Sequence, residues 1–337
     1  MTRRLHSGKI PIKVLDRTVL RLTGAPSAYV VTPPRAGLDF AAVKFGGGFM
    51  IISADPITGV TPRIGEYAIK VSANDVATSG NRPQFAESVI LLPEGSSEEA
   101  VSEIATQMDG AAKELGMAIV GGHTEVTPGL TRPIVIVTVI AFADSYVSSM
   151  NAKAGDTIMM TKTAGIEGTA VLGSASGSMG LSQETVAGAK RLLRKLSIVD
   201  EAVAAKRTGR VHAMHDCTEG GVLGAVYEMS LASGVGFELR KDLIPLAPET
   251  AAICRKFSVD PLRLIGSGSL LLAVERGAED EVEDALAPVC RVTRIGQFTG
   301  GKRILIESGG ANEVVKEAPE DELWRLLSAT ARRSHRL

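Results

Sequence analysis

The apolar residues of this chain come in short runs. FMIISA (49–54) lies between Gly46-Gly47-Gly48 and Asp55-Pro56, and further runs occupy 117–120, 133–142, 156–161 and 269–274. Runs of this length closed by Gly, Pro and polar residues predict buried strands, because a buried helix needs roughly ten residues or more. Ser96 with Glu99 three residues on reads as a capping box, and Val101, Ile104, Met108, Ala112 and Leu115 then repeat at helical spacing until Gly116. Strands interleaved with helices restrict the chain to an α/β or α+β layered fold.

The 337 residues suffice for two domains at roughly 100–200 residues each. The polar stretch ADSYVSSMNAKAG (143–155) places the boundary, giving a first domain over 1–150 and a second over 151–337. Helical patterns in the second cover Gln183–Lys195, Asp200–Lys206, Val222–Ala232 closed by Gly234, and Glu279–Ala287, with a last helix through Trp324 and Leu327. The basic tail ARRSHRL is expected to fray. With 37 Lys and Arg against 38 Asp and Glu, the net charge of −1 offers no basic surface for nucleic acid. No apolar run is long enough to span a membrane. Cys217, Cys254 and Cys290 fit neither a disulfide framework nor a zinc site, so a cytoplasmic protein is expected.

Four constellations could carry chemistry. Asp39, Asp55 and Asp75 each border an apolar segment, in GLDFAAV, SADPITG and SANDVATSG. Three carboxylates at element ends can converge on a hard cation such as Mg²⁺, or each can cap a helix or turn, Asp75 at the N-terminus of a helix over Val76–Ser79. Gly121-Gly122-His123-Thr124-Glu125 follows the run at 117–120 and reads as a turn whose amides could hold an anion, or as a tight connection with His123 exposed. His215-Asp216-Cys217-Thr218-Glu219-Gly220-Gly221 opens a helix, where free N–H groups suit an anion and Asp216 or Thr218 could equally be a simple cap. Lys162, in TKTAGIEG (161–168), follows a strand with hydroxyls beside it and could face a phosphate.

Taken in order, GLDFAAV (37–43), SADPITG (53–59), NDVATSGNRP (74–83), GGHTEVTPG (121–129), GDTIMMTKTAGIEGT (155–169), MHDCTEGGVLG (214–224) and DPLRLIGSGSLLLAV (260–274) resemble the AIR synthase-related superfamily. That superfamily includes aminoimidazole ribonucleotide synthetase, HypE, thiamine-monophosphate kinase and selenophosphate synthetase, and the wording is most similar to the HypE branch. The resemblance implies an N-terminal α/β domain that pairs in a homodimer to complete a β-barrel, with a C-terminal α/β sandwich beside it. It implies ATP in the cleft, held through Mg²⁺ by Asp39, Asp55, Asp75 and Asp216. Lys9, Asn74, Gly121, Gly122, His123, Thr124, Glu125, Lys162, Thr218, Glu219, Gly220 and Gly221 join the expected nucleotide contacts, and Asp55, Asn74, Asp75 and His123 are the expected catalytic residues. The implied reaction moves the γ-phosphoryl group of ATP onto a substrate oxygen, in a small molecule or a partner protein.

The chain departs from its branches in three places. HypE proteins end in a cysteine-bearing tail, whereas this sequence ends ARRSHRL. Selenophosphate synthetases carry a reactive Cys or selenocysteine with a Lys near the N-terminus, and Gly8-Lys9 supplies only the Lys. Thiamine-monophosphate kinase has an acidic residue where His123 stands. Two alternatives therefore stand beside a HypE-like enzyme: a non-catalytic nucleotide-binding partner in metalloenzyme assembly, and an activity of the AIR synthetase or thiamine-monophosphate kinase type.

Overall fold

The computed structural model describes Leu5 and residues 7–59, 62–175 and 180–326. Leu327 and the basic tail lie outside the described residues. The first sheet contains β1 (Ala41–Phe45), β2 (Gly48–Ile57), β3 (Phe85–Leu92), β4 (Ala118–Val126) and β5 (Ile134–Ala143) in the order β1-β2-β5-β3-β4. Only β3 and β4 run parallel; the other pairs are antiparallel. Alternate residues of β5 are buried, which is the period-2 pattern of a sheet with one covered face.

Helices α2 (Ile64–Ala77) and α3 (Glu98–Leu115) cover that face, packing Ile69, Ala73, Ile104 and Met108 on Val135, Val137 and Val139. α3 follows its expected periodicity and ends at Gly116 with φ 72°. Its cap is Ser97 rather than Ser96: Ser97 Oγ accepts the Ala100 amide at 3.3 Å, while Ser96 Oγ donates to the Pro93 carbonyl at 2.8 Å. The serine one place upstream is held in the preceding turn, so the expected box shifts by a residue. α2 has no amphipathic signature because every one of its residues is buried; a helix covered all round loses the 3.6-residue contrast. Asp75 lies in the last turn of α2, so the expectation that it starts a helix over Val76–Ser79 is wrong.

The second sheet has the order β12-β11-β8-β10-β6-β9-β7, from β6 (Thr157–Thr161), β7 (Val211–Asp216), β8 (Gly236–Arg240), β9 (Leu270–Val274), β10 (Val292–Thr299), β11 (Arg303–Ile306) and β12 (Asn312–Val314). Helices cover both faces. α7 (Gly221–Ser233) packs Val222, Leu223 and Val226 on Ile158, Met160 and Leu271. On the other face, α6 (Val199–Arg207) and α9 (Glu279–Leu286) meet Met159, Met214, Leu270 and Leu272. This double cover explains why β9 is buried at all five positions and reads as a continuous apolar run. α1 (Ile12–Thr18), α4 (Ile166–Ala175), α5 (Gln183–Leu192) and α8 (Pro248–Phe257) complete the helices described here.

The halves are joined by polar clasps. Asn74 Nδ2 donates to the Leu196 carbonyl at 2.8 Å, and its Oδ1 accepts the Ile198 amide at 3.0 Å. Lys162 Nζ donates to the carbonyls of Lys195 (3.0 Å), Ser197 (2.6 Å) and Gly268 (2.9 Å) and pairs with Glu201 at 2.5 Å. The segment 195–201 is thus gripped from the first half by Asn74 and from the second by Lys162.

Candidate active site at the junction of the halves

Asp39 precedes β1, Asp55 lies in β2, Asp75 in the last turn of α2 and Asp216 at the end of β7. The fold brings the four together. Asp39, His215 and Asp216 each present a ligand atom within 4.8 Å of the others. Asp75 accepts a 2.7 Å hydrogen bond from Ser53 Oγ. Burial, then the charges of Asp55, Asp216 and Asp39, push the Asp75 carboxyl well above its usual range, and a side-chain hydrogen bond with Asp55 adds to this.

Asp216 is 1 % exposed, and neither of its carboxylate oxygens has a hydrogen-bond partner; Asp39 Oδ2 is likewise buried and unpaired. A capping role for Asp216 is therefore overturned, and the residue before α7, Gly220, makes no side-chain cap. Burial raises the Asp216 carboxyl to about 8, with the Asp39 charge adding to it. Burial likewise lifts Asp39 to about 6, against the pull of His215. Orphaned buried carboxylate oxygens of this kind are what a hard divalent cation needs, since it takes oxygen ligands and neutralises charge that burial otherwise penalises. The donor set fits Mg²⁺.

A cationic flank borders the acidic group. His215 Nε2 contacts Asp39 Oδ1 at 3.1 Å and Glu228 Oε2 at 3.3 Å, while Nδ1 faces the Asp216 carbonyl at 2.8 Å. Burial opposes the imidazolium, but Asp39 and Glu228 outweigh it and raise His215 to about 9. Glu228 is opposed by burial too, yet Lys9 and His215 bring it down to about 2. Lys9 Nζ lies 3.3 Å from Glu228 and from Thr218 Oγ1, and its amide donates to Glu219 Oε2 at 2.6 Å. Glu219 also accepts from Trp324 Nε1 at 2.9 Å.

His215 and Glu167 fall within motifs read from the sequence but were given no role of their own there, and Glu228 was not singled out. Glu228 is the one acidic residue in the apolar helix VLGAVYEMSLA, a signal that was available. Glu167, raised to about 7 chiefly by burial, senses Asp321, Glu219 and Asp55, with Oε2 buried and unpaired.

Other expected contacts are placed differently. Asn74 and Lys162 are engaged by the clasps. Gly121–Glu125 are not a turn: they continue β4, whose residues are all exposed and which forms an edge of its sheet. Gly122, at φ 152°, passes so close to β3 that a Cβ would lie 2.0 Å from the Ser88 carbonyl oxygen, so this glycine serves strand pairing. His123 Nε2 meets Glu125 Oε2 at 3.0 Å, both exposed. The Gly-rich start of α7 has committed amides: Gly220 N–H donates to Asp321 Oδ2 at 2.8 Å, Gly221 to the Thr218 carbonyl and Leu223 to the Leu262 carbonyl. Gly221, at φ 62°, would place a Cβ 2.5 Å from Leu262 O.

The buried acids give a sign to the pH dependence. Asp39, Asp216, Glu167 and His215 all have native-state values above their ordinary ones, so the folded state binds more protons across that range and stability is lost as pH rises through it. Glu228 contributes in the opposite sense, but only toward its depressed value of about 2. In chelator, the melting temperature should fall between roughly pH 5 and pH 9, and Mg²⁺ should restore more of it at the alkaline end. A flat or rising profile in scanning calorimetry would contradict this electrostatic picture.

The two-half α/β architecture is the one found in the comparisons with known proteins. The family models described as AIR synthase related protein, N-terminal domain and C-terminal domain match residues 37–143 and 153–308. The chain belongs to the AIR synthase-related family. It is 30 % identical over 261 residues to carbamoyl dehydratase HypE of Escherichia coli (strain K12), covering 75 % of this chain and 76 % of that protein. It is 28 % identical over 250 residues to a putative hydrogenase expression/formation protein of Methanocaldococcus jannaschii, covering 71 % of each. Among solved structures, a chain of a HypE-HypF complex superposes with a TM-score of 0.76 at 23 % identity, covering 90 % of this chain and 98 % of that one. HypE in complex with ATP gives 0.71 at 20 %, covering 93 % of each. AaThiL complexed with AMPPCP and TMP gives 0.72 at 18 %, covering 92 % and 95 %. The family and the two-domain α/β fold expected from the motifs are borne out. No helix among the described residues is long and apolar enough to cross a membrane.

Proposed function

We propose that the protein is an ATP-dependent phosphoryl-transfer enzyme of HypE-like type, binding Mg-ATP at the junction and activating a carbonyl- or amide-type oxygen. The observation that carries this reading is the set of buried carboxylate oxygens of Asp39 and Asp216 without partners, beside Asp55 and Asp75. Two fold relatives solved with ATP and AMPPCP support it. Asp39, Asp55, Asp75 and Asp216 would hold Mg²⁺, which supplies charge neutralisation at the phosphates. His215, cationic at neutral pH, fixes Asp39 through Oδ1 and leaves Oδ2 turned free. Glu228, itself paired with Lys9, holds that imidazolium in place. The substrate oxygen attacks the γ-phosphorus, the bond to the β-phosphate oxygen breaks and ADP leaves. The O-phosphorylated product then carries a better leaving group.

A partner protein as acceptor is supported by the HypE-HypF complex among the fold relatives. A homodimer in the cytoplasm completes the reading: exposed β4 brings Ile119, Val120 and Val126 to the surface, with Phe45 and Phe142 on the same sheet, and an open apolar edge invites pairing. The test is calorimetric titration with a non-hydrolysable ATP analogue, with Mg²⁺ and with chelator, on the wild type and Asp55→Asn. Saturable Mg²⁺-dependent binding, lost in the variant, is expected; identical binding by the two proteins overturns the assignment. Binding without ATP turnover by any acceptor or partner would favour the nucleotide-binding assembly partner.

A further inference from the structure

A cavity of about 560 Å³ opens between the halves and is lined from both. From the first half come Arg63 and Lys70, with Glu66 and Glu114; from the second come Lys190, Arg191 and Arg194. The floor is a built network. Lys70, 3 % exposed, lies 3.0 Å from Glu66 and 2.8 Å from Glu114, and Arg63 closes on the other side of Glu66. Those two carboxylates are consumed by Lys70 and Arg63. Among the described residues, no ion pair or side-chain hydrogen bond engages Lys190, Arg191 or Arg194, which present three uncompensated positive charges to the same cavity.

Cations in the last turn of α5 complement its dipole, which accounts for Lys190 and Arg191. It does not account for Arg194, which follows the helix in a 3-10 turn over Leu193–Lys195; the facing wall from the other half is balanced, Arg63 and Lys70 against Glu66 and Glu114, so the excess positive charge is that of Lys190, Arg191 and Arg194. α2 also begins here, with Arg63 at its N-cap and no side-chain cap bond, so its positive end adds to the potential. The cavity is of a size that holds a small ligand, and two guanidinium forks beside an ammonium match phosphate oxygens. Asp75 lies at the opposite end of α2 from Arg63, about 18 Å along the helix at 1.5 Å per residue, so this is not the carboxylate cluster.

We propose that this cavity is a second, metal-independent site for a phosphate-bearing small molecule, held by Lys190, Arg191 and Arg194 against the Arg63 and Lys70 wall. The proposal stands on these residues whether or not Mg-ATP binds at the acidic cluster. The need for metal separates the two sites: the acidic cluster would take a polyphosphate through Mg²⁺, whereas the cations here attract it directly.

The experiment is titration of the full chain in chelator at low ionic strength with pyrophosphate and with ribose 5-phosphate. Saturable binding of either is expected. It should weaken about tenfold or more in Arg191→Ala and again in Arg194→Ala, the scale of one charge-assisted hydrogen bond per guanidinium. The affinity should drop with added salt and persist in Asp55→Asn. Both arginines are exposed and unpaired, so melting temperatures should match the wild type, removing misfolding as an explanation. A preference for ribose 5-phosphate assigns the site to a phosphorylated metabolite, and a preference for pyrophosphate to a nucleotide tail; either supports the proposal. No binding in chelator, or binding unchanged in Arg191→Ala/Arg194→Ala, overturns it. Loss in Asp55→Asn alone, with the arginine variants intact, would place the anion at the acidic cluster and overturn it as well.

Discussion

Replacing Asp216 by Asn should weaken Mg-nucleotide binding by about a hundredfold or more while leaving the metal-free protein as stable as before, or slightly more stable, at neutral pH. The first figure corresponds to roughly 2–5 kcal/mol for truncating one member of a buried charge pair. The second follows from the carboxyl's environment: raised to about 8 by burial and by Asp39, it is largely neutral in the metal-free protein, and an amide is the isostere of that neutral acid. A helix-capping aspartate predicts the opposite pattern, with stability lost by about 0.5–2 kcal/mol and affinity untouched. Calorimetric titration and thermal melts on one preparation separate the two. Full nucleotide affinity in Asp216→Asn would remove this residue from the site.

Lys162→Met should be the most destabilising single change among the residues expected to touch nucleotide. The ammonium serves three backbone carbonyls and Glu201, and Glu201 is 5 % exposed in its side chain. Removing one partner of a buried pair costs about 3–5 kcal/mol, because the other charge is stranded. At roughly 2–4 °C per kcal/mol for chains somewhat shorter than this one, the melting temperature should drop by about 10 °C. Adding Glu201→Met should recover much of the loss, since apolar replacement of both members is often tolerated. A phosphate-binding lysine would show lost affinity with the melt unchanged. That outcome, or a double variant no more stable than the single one, would refute the clasp.

The sequence made some features legible and hid others for definable reasons. The helix at Glu98–Leu115 was visible because one side faces solvent and the other faces Val135 and Val137. Helix α2 was invisible because burial on all sides removes the periodicity that marks a surface helix. The convergence of Asp39, Asp55, Asp75 and Asp216 could be expected only from the order of motifs, since three lie in the first half and one in the second. Asn74 sits beside Asp75 in the sequence, but adjacent residues on a helix diverge by about 100°, so one turns to Leu196 and Ile198 while its neighbour turns to the acids. Gly121-Gly122 suggested a ligand turn because glycine reports only that something approaches closely; here it is the Ser88 carbonyl.

That adjacency on α2 makes the docking of the halves and the filling of the site one thermodynamic variable. A rotation of α2 that frees the Asn74 amide from Leu196 and Ile198 also displaces Asp75 from Asp55. By linkage, whatever nucleotide binding adds to the adhesion of the halves, adhesion must return as nucleotide affinity. A substitution at the 195–201 segment, outside the acidic cluster, can therefore act as an affinity mutation, and a saturating nucleotide can act as the mortar of the fold.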